Sequence, residues 1–211
     1  IIMPFASYQP YINKSADVMP PEIFIGRRYE LEKIESPTGV NLVYGGRQLG
    51  KTALLRMAKK DIDKNENGDR AIIVDAREKD YRATAKAVSE ALADEGILRE
   101  ENITEDWNVL ARSIKNRLRD ENHPIPYLLL MIDEADSFIE SCDVVNYQPF
   151  DALKDIQSIG SERFKFVVAG LRNIVRFKQA TVLKNNIGLV HLESLTVKPF
   201  KSMEARELLE V

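Results

Sequence analysis

The stretch that decides the fold reads Val40-Asn41-Leu42-Val43-Tyr44-Gly45-Gly46-Arg47-Gln48-Leu49-Gly50-Lys51-Thr52. Its first five residues are mainly apolar and predict a β-strand, whereas the residues from Lys51 to Asp63 favour a helix. The segment between them has the spacing of a P-loop, whose glycines let the backbone wrap closely around a phosphate group. A strand before the loop and a helix after it are the context that this motif requires, so the stretch predicts a phosphate site.

The predicted loop binds phosphate mainly through its backbone. Successive N–H groups and the N-terminus of the following helix point at the anion. The residues concerned are Gly45, Gly46, Arg47, Gln48, Leu49, Gly50, Lys51, Thr52 and Ala53. Lys51 adds a mobile positive charge at the outer phosphates, and Thr52 offers a hydroxyl suited to Mg²⁺. The alternative is a glycine-rich turn that binds nothing, but the flanking elements and a second motif favour the phosphate site.

The second motif is an apolar run that ends in two carboxylates, Tyr127-Leu128-Leu129-Leu130-Met131-Ile132-Asp133-Glu134, followed by Ala135-Asp136. In open α/β sheets ligands gather at the carboxyl ends of strands, so we expect Asp133 and Glu134 on the same edge as the P-loop. Asp133 is then suited to hold Mg²⁺, directly or through water, and Glu134 to polarise the water that attacks the terminal phosphorus. Alone, such a run more often enters a solvated loop. Beside a P-loop, the catalytic interpretation is favoured.

Strands and helices alternate along most of the chain, which predicts an α/β fold. The strand candidates are nearly continuous apolar runs at 40–44, 71–75, 127–133, 164–169 and 188–192, and the helix candidates lie at 26–34, 51–63, 81–95, 104–120 and 150–160. Apolar strands of this kind are usually buried on both faces, as in a parallel sheet covered by helices. Residues 1–24 contain four prolines among aromatic residues and are predicted to form an extended arm.

The composition predicts a soluble domain with a sizeable core, since 44% of the 211 residues are apolar and 30% are charged. No run approaches the roughly 18 apolar residues of a membrane span, and the first residues do not resemble a signal peptide. The single cysteine, Cys142, fits a reducing compartment, so we expect a cytoplasmic protein without a membrane partner. The chain begins without methionine and ends in a helical-looking stretch, so we expect a piece of a longer protein.

One helix candidate carries an apolar stripe and a basic face. The stripe consists of Trp107, Leu110, Ile114 and Leu118, at three- and four-residue spacing, and predicts contact with the core. Stacking of Trp107 on a nucleic-acid base is the disfavoured alternative. The opposite face holds Arg112, Lys115 and Arg119, for which solvation is the default.

A second basic segment runs from Arg163 to Lys184 and contains six Lys or Arg residues and no acidic residue. Three functional explanations compete. In the first, Arg172 senses phosphate. In the second, Arg176 or Lys178 reaches a neighbouring subunit's nucleotide in the manner of an arginine finger. In the third, the segment touches a nucleic-acid backbone. A solvated basic face is the fourth explanation. The net charge of −3 gives no whole-protein attraction to nucleic acid, so any such contact has to be local.

These motifs resemble those of the AAA+ ATPases and, within that group, of the signal-transduction ATPases known as STAND proteins. The resemblance covers most of the chain and includes Phe24-Ile25-Gly26-Arg27-Arg28-Tyr29-Glu30-Leu31, which is similar to a family motif that lies beside the adenine base. It implies that Ile25 and Gly26 help to bind adenine. The alternative is a helix start without ligand contact. The resemblance also implies a three-layer core with a parallel five-stranded sheet in the order 5-1-4-3-2.

The run Phe166-Val167-Val168-Ala169-Gly170-Leu171-Arg172-Asn173 resembles the family's fourth strand, after which a polar sensor residue faces the γ-phosphate. The resemblance implies that Arg172 is this sensor, and Asn173 stays an alternative because other members use a small polar residue. A guanidinium there would neutralise charge on the terminal phosphate oxygens. The non-functional alternative is a surface arginine at a strand end. Residues 201–211 resemble the start of a helical lid after an ATPase core at 25–200, with Pro199 a weak candidate for a contact near the base.

The resemblance implies an ATPase that uses ATP and Mg²⁺, and it supports three hypotheses. In the first, slow hydrolysis drives a conformational switch in a larger AAA+/STAND-type protein. In the second, the chain belongs to a DNA-associated ATPase of the initiator or transposition-regulator type. In the third, ATP is a structural ligand, against which Glu134 argues. The implied partners are ATP and ADP, while self-association and a protein or DNA partner stay open.

Overall fold

The computed structural model describes residues 26–160, 162–171, 176, 177, 179, 192–200 and 202. Residues 29–198 form one compact unit, and the described residues 26–28, 199, 200 and 202 belong to a second. The predicted arm at 1–24, Ile25 and the predicted lid at 201–211, apart from helical Ser202, lie outside the described residues. The domain boundaries therefore stay a prediction.

The described elements alternate as the sequence predicts. The strands are β1 Leu42–Gly45, β2 Arg70–Asp75, β3 Leu128–Asp133, β4 Phe164–Gly170 and β5 Ser194–Val197. The helices are α1 Arg28–Glu35, α2 Lys51–Asp63, α3 Tyr81–Asp94, α4 Trp107–Leu118, α5 Asp136–Cys142 and α6 Gln148–Gln157. Short 3-10 helices cover Glu100–Asn102 and Asp143–Val145. No described helix is both long enough and apolar enough to cross a membrane.

The strands form one five-stranded sheet in the order β2-β3-β4-β1-β5, within the part of the chain that the structure describes. Every neighbouring pair is parallel. The predicted order 5-1-4-3-2 is the same order read from the other edge, so it is confirmed. Because all strands run in one direction, the P-loop after β1 and the acid pair at the end of β3 share one edge of the sheet.

Two features of the predicted elements need correction. The fifth strand is β5 rather than 188–192: Leu192 is buried outside any strand, and 188–191 lie outside the described residues. The prediction followed a continuous apolar run, but β5 lies at the edge of the sheet, where only Val197 of its four residues is buried. Helix α5 was missed because seven residues are too few to show a helical period. The other helices agree with the prediction to within one turn.

Alternate residues of the strands face two different layers of helices. Leu128, Leu130 and Ile132 of β3 belong to a buried apolar cluster that includes residues of α3, α4, α5 and α6. The intervening residues point to the opposite face of the sheet, where α2 contacts β1, β2 and β3. The sheet thus lies between helices, as the apolar strands predict.

The apolar stripe of α4 is part of this core. Trp107 is only 4% exposed, and its indole N–H donates to the carbonyl of Tyr81 over 2.6 Å. Its ring centroid lies 5.5 Å from that of Phe138, which stacks on Phe150 at the same distance. The core interpretation of Trp107 is therefore confirmed, and base stacking by this residue is ruled out by its burial.

The basic segment after residue 163 contains a fully buried lysine. Lys165 lies in β4 with 0% of its surface exposed. Its ammonium donates to the carbonyls of Lys33, Ile34 and Ser36 over 3.0, 2.7 and 2.6 Å. These carbonyls end α1, where they lack partners within the helix. Lys165 is thus a structural residue that caps α1.

Two further basic residues of that segment are described, and they differ in their surroundings. Arg163 donates to the carbonyls of Leu118 and Ile125, so it is held by the fold. Arg176 is exposed. The remaining basic residues of the segment, Arg172, Lys178 and Lys184, lie outside the described residues.

The end of α1 also buries a carboxyl group. Oε1 of Glu35 is buried and has no hydrogen-bond partner among the described residues. Burial, followed by the neighbouring carboxylates Asp61 and Glu32, raises the pKa of Glu35 to about 7. Burial likewise lowers the pKa of Lys165 to about 7, although Glu193 and Glu35 act in the opposite direction. The amino edge of the sheet therefore contains two titratable groups whose charged forms are disfavoured.

The second unit contributes Gly26 and Arg27 from the motif at 24–31. Gly26 is exposed and has a φ of 73°. Arg27 is buried, with its guanidinium carbon 4.4 Å from the centroid of the Phe200 ring. This is a cation–π contact between the start and the end of the described chain. Pro199 is exposed.

Candidate nucleotide site

The P-loop connects β1 to α2 through two residues with positive φ. Gly50 has a φ of 83° and precedes the first turn of α2, where no side chain caps the helix. The uncapped N–H groups of this first turn are therefore oriented as in an anion site. Gln48 has a φ of 60°, a conformation that costs a residue with a side chain about 1–3 kcal/mol. Strain of this kind is common where a loop is shaped for a ligand.

Lys51 lies inside the loop rather than in solvent. Its side chain is 6% exposed, and its ammonium donates to the carbonyls of Gly45 and Gly46 over 3.2 and 2.9 Å. A lysine ammonium carries three N–H groups. Within the described part of the chain these two bonds leave one N–H for a further acceptor, as expected for a lysine that also binds phosphate.

Thr52 and Asp133 are in direct contact. The hydroxyl of Thr52, in the first turn of α2, donates to Oδ2 of Asp133 at the end of β3 over 2.6 Å. The other carboxylate oxygen, Oδ1, accepts from the backbone N–H of Glu134 over 2.9 Å. Asp133 is 4% exposed. Two residues that are 81 positions apart thus bring a hydroxyl and a carboxylate together at the loop.

This pair of oxygen groups fits a magnesium ion. Mg²⁺ takes oxygen ligands, keeps several of its waters and usually needs only one or two protein groups. Thr52 and Asp133 supply such groups next to the loop that would hold phosphate oxygens. Among the described residues no group of three or more His, Cys, Asp and Glu side chains forms a metal cluster. Thr52 and Asp133 are therefore the residues that would hold the ion.

Glu134 leaves the strand in an unusual backbone conformation. Its φ is 51°, and its side chain is partly buried. The left-handed conformation turns the chain immediately after Asp133, so the two carboxylates do not simply alternate as they would in a continued strand. The backbone N–H of Ala135 then donates to the carbonyl of Ala169 in β4 over 2.9 Å. Glu134 is thus fixed by its two chain neighbours at the carboxyl edge of the sheet.

Several predicted site residues cannot be placed. Ile25, Arg172 and the alternative Asn173 lie outside the described residues. Gly26 belongs to the second unit. Arg47, Gln48, Leu49, Gly50 and Ala53 are described and follow the chain through the loop and into α2. Their contacts with nucleotide, and the roles of Lys51 and Glu134, stay predictions.

Two acidic residues at this edge had no predicted role. Asp75, the last residue of β2, lies in register with Asp133. Asp136, the first residue of α5, accepts from the N–H of Leu171 through Oδ2 over 2.7 Å. A sequence signal for Asp136 exists, because it follows Glu134 by two residues. Its contact with the end of β4 becomes visible only when strands that are distant in sequence are paired.

The sheet order, the P-loop between β1 and α2 and the acid pair after β3 define the class of fold, which is that of the AAA+ P-loop ATPases. The chain is similar to the ORC2 protein of Aeropyrum pernix, solved in ADPNP–ADP complexes, with a TM-score of 0.65 and 22% identity over 93% of this chain and 54% of that one. It is also similar to a Walker-type ATPase of Pyrococcus abyssi, with a TM-score of 0.61 and 15% identity over 88% and 57% of the two chains.

A third similar structure is Drosophila ORC bound to DNA, with a TM-score of 0.57 and 15% identity, covering 84% of this chain and 43% of that one. No family model and no curated protein matches the sequence. At these identities the likeness concerns the fold. The chain spans about half the length of these solved proteins.

Proposed function

We propose that this chain binds ATP together with Mg²⁺ and hydrolyses it, and that hydrolysis drives a conformational switch in a larger protein of the AAA+/STAND type. The observation that carries the proposal is the hydrogen bond of 2.6 Å between Thr52 and Asp133. This bond joins the P-loop helix to the acid pair. A glycine-rich turn that binds no ligand would not require such a contact. The nucleotide-bound state of the ORC2 structure supports the same assignment.

In the proposed site the triphosphate lies along the P-loop. Backbone N–H groups of residues 45–50 and of Lys51, Thr52 and Ala53 bind its oxygens, and the ammonium of Lys51 uses its remaining N–H on an outer phosphate. Bound Mg²⁺ would neutralise phosphate charge from the side of Thr52 and Asp133. Ile25 and Gly26 contribute to the adenine site on the strength of the family resemblance alone.

Glu134 is the proposed general base. Its carboxylate accepts a proton from water as the water oxygen attacks the γ-phosphorus, and the bond from that phosphorus to the β–γ bridging oxygen breaks. The products are ADP and inorganic phosphate. Arg172 is proposed to stabilise the charge that spreads over the γ-phosphate oxygens. The position of Arg172 directly after Leu171, at the carboxyl end of β4, supports this role.

Single-turnover hydrolysis by the purified protein and by Glu134→Gln tests the proposal. The variant is expected to bind Mg²⁺ and ATP with affinity close to wild type and to hydrolyse ATP at least about a hundredfold more slowly, because the base is removed while the loop is unchanged. Glu140→Gln, at an exposed position of α5, is the matched control and is expected to behave as wild type. Equal rates in all three proteins would remove Glu134 from catalysis, and wild type without Mg²⁺-dependent ATP affinity would refute the function.

The second candidate function is a DNA-associated ATPase of the initiator or transposition-regulator type. The similarity to two ORC structures, one of them bound to DNA, favours it. Fluorescence anisotropy with labelled duplex DNA and the full-length protein separates the two candidates. An initiator-type protein is expected to bind DNA with an affinity that falls steeply as salt rises. If the affinity for DNA is too weak to measure even at low salt, the initiator-type function is refuted and the conformational-switch function is the one retained.

A further inference from the structure

The turn that follows β3 and the end of β4 are joined by two hydrogen bonds. The N–H of Ala135 donates to the carbonyl of Ala169 over 2.9 Å, and Oδ2 of Asp136 accepts from the N–H of Leu171 over 2.7 Å. The second bond lies beyond the regular pairing of the two strands, which ends at Ile132 and Val168. One backbone bond and one side-chain bond therefore continue the connection beyond the regular strand pairing.

Gly170 makes room for this side chain. A Cβ atom at position 170 would lie 2.9 Å from Oδ2 and 3.4 Å from Cγ of Asp136. The first of these distances is shorter than normal van der Waals contact. The φ of Gly170 is not in the left-handed region, so the backbone itself does not require glycine. The glycine at position 170 thus leaves space for the carboxylate of Asp136.

The contact lies between two residues with proposed roles in hydrolysis. Glu134 precedes Asp136 by two positions and has a φ of 51°, a strained conformation that its surroundings must maintain. Leu171 immediately precedes Arg172. The bond to the N–H of Leu171 fixes the chain at the end of β4, one residue before Arg172 in the sequence. One carboxylate therefore constrains both the turn that carries the general base and the strand end that leads to the sensor.

We propose that Asp136 is a positioning residue, which with Gly170 holds the turn of Glu134 against the end of β4 and so sets the geometry for ATP hydrolysis. This role rests on the proposed ATPase function. Asp136 does not need to touch the nucleotide, because its effect is transmitted through the backbone of residues 134–136 and 171. Misplacement of a reacting group by about 1 Å can cost about a hundredfold in rate, so the effect is expected on hydrolysis rather than on ATP affinity.

A purely structural role makes a different prediction. Asp136 is an acidic residue in the first turn of α5 and interacts there favourably with the helix dipole. If that were its only role, substitution would lower the melting temperature and leave the hydrolysis rate of the folded protein unchanged. Measuring the hydrolysis rate and the ATP affinity of folded protein therefore separates positioning from a helix-dipole role.

The test compares Asp136→Ala, Asp136→Asn, Gly170→Ala and the Asp136→Ala/Gly170→Ala double variant in the full protein. Single-turnover rate, Mg²⁺-ATP affinity and melting temperature are measured for each. Asp136→Ala and Gly170→Ala are each expected to slow hydrolysis about tenfold to a hundredfold, with ATP affinity within about twofold of wild type. Asp136→Asn is expected to recover part of the rate, since its amide oxygen can still accept from Leu171.

The double variant gives the sharpest result. Once Asp136 has been truncated, a Cβ atom added at position 170 meets no carboxylate, so the double variant is expected to be no slower than Asp136→Ala. Amide exchange at Leu171 is expected to accelerate in each variant that lacks the acceptor. Two results would overturn the positioning role without affecting the proposed function: single variants that hydrolyse ATP as fast as an active wild type, or a double variant whose loss of rate is the product of the two single losses. A wild type that hydrolyses no ATP would remove the proposed function and this role with it.

Discussion

Two buried lysines at opposite edges of the sheet donate hydrogen bonds to backbone carbonyls, and one of them belongs to the proposed nucleotide site. Lys51 at the carboxyl edge donates to two carbonyls of the P-loop, and Lys165 at the amino edge donates to three carbonyls at the end of α1. An ammonium has three N–H groups. Lys165 therefore has its donors satisfied within the protein, whereas the bonds of Lys51 to described residues leave one N–H available for the proposed ligand.

The surroundings of the two lysines also differ. Lys51 precedes the Thr52–Asp133 contact, which combines a hydroxyl with a carboxylate. Lys165 is near Glu35, whose buried carboxylate oxygen has no hydrogen-bond partner among the described residues. Burial alone does not identify a functional lysine. The number of its donors that the fold leaves unused is the more informative property.

The largest expected effect is the loss of nucleotide binding in Lys51→Met. Methionine keeps the length of the side chain but removes the charge and the N–H donors, so ATP affinity is expected to fall at least about a hundredfold. Stability without nucleotide is expected to change little, since the loop carbonyls regain water when the ammonium is removed. Isothermal titration with Mg²⁺ and ATP measures the first quantity, and thermal melting the second. Unchanged ATP affinity would contradict the inference that the remaining N–H of Lys51 binds phosphate.

Lys165→Met is the matched substitution at the other edge. The carbonyls of Lys33, Ile34 and Ser36 lose the ammonium donor, although that of Lys33 still accepts from the N–H of Val40. The free energy of unfolding is therefore expected to fall by about 2 kcal/mol. ATP affinity of the folded protein is expected to stay within about twofold of wild type. Chemical denaturation with nucleotide titration below the transition measures both. If Lys165→Met lost ATP affinity while keeping full stability, Lys165 would be a ligand-binding residue rather than a structural one.

Two glycines of the P-loop stretch extend the comparison. Only Gly45 lies so close to a neighbouring strand that a side chain would not fit. A Cβ at Gly45 would lie 2.6 Å from the carbonyl oxygen of Val197 in β5, whereas a Cβ at Gly46 would meet only Leu49, at 3.4 Å. Gly45→Ala is expected to lower the free energy of unfolding by about 1–3 kcal/mol, and Gly46→Ala by less than about 0.5 kcal/mol. Denaturant titration of both variants checks the difference. Equal losses of stability in the two variants would show that the close approach of β1 and β5 at Gly45 does not determine the cost of the substitution.

The smallest expected effect concerns the pH dependence of stability through Glu35. Its pKa is raised from 4.5 to about 7, so the folded state holds this proton more tightly than the unfolded state. The contribution of Glu35 is fully present below pH 4.5 and is lost as the pH rises through about 7. Glu35→Gln is expected to lose less stability than wild type across this window. Melting temperatures of both proteins on either side of it test the sign, and parallel curves would exclude Glu35.

The parts of the fold that the sequence predicts correctly depend on local patterns. The apolar runs at β1 to β4 and the helical stretch from Lys51 to Asp63 appear where periodicity places them, because burial on both faces and helix-forming residues act within a few positions. The P-loop is recognised in the same way, since glycine spacing and the flanking elements are adjacent in the chain. The sheet order came from the family resemblance instead, and no local pattern contains it.

The failures have a common physical cause, which is that tertiary context outweighs the local pattern. The edge strand β5 needs only one partner, so its sequence is less apolar than the run at 188–192 that resembles a strand. Lys165 occurs in a basic segment that suggests a solvated face, but the carbonyls of α1 that it caps come from residues about 130 positions earlier. No pattern within the segment contains those carbonyls.

The sequence by itself determined that a loop with P-loop spacing follows an apolar strand and that an acid pair ends another, because both signals are carried by neighbouring residues. Only the tertiary structure decided that Thr52 touches Asp133, that Asp136 reaches the end of β4 and that Lys165 is buried. Each of these contacts joins strands or helices that parallel crossovers bring together. Such connections place residues that are distant in the chain at one edge of the sheet, where side-chain chemistry depends on the neighbours that packing supplies.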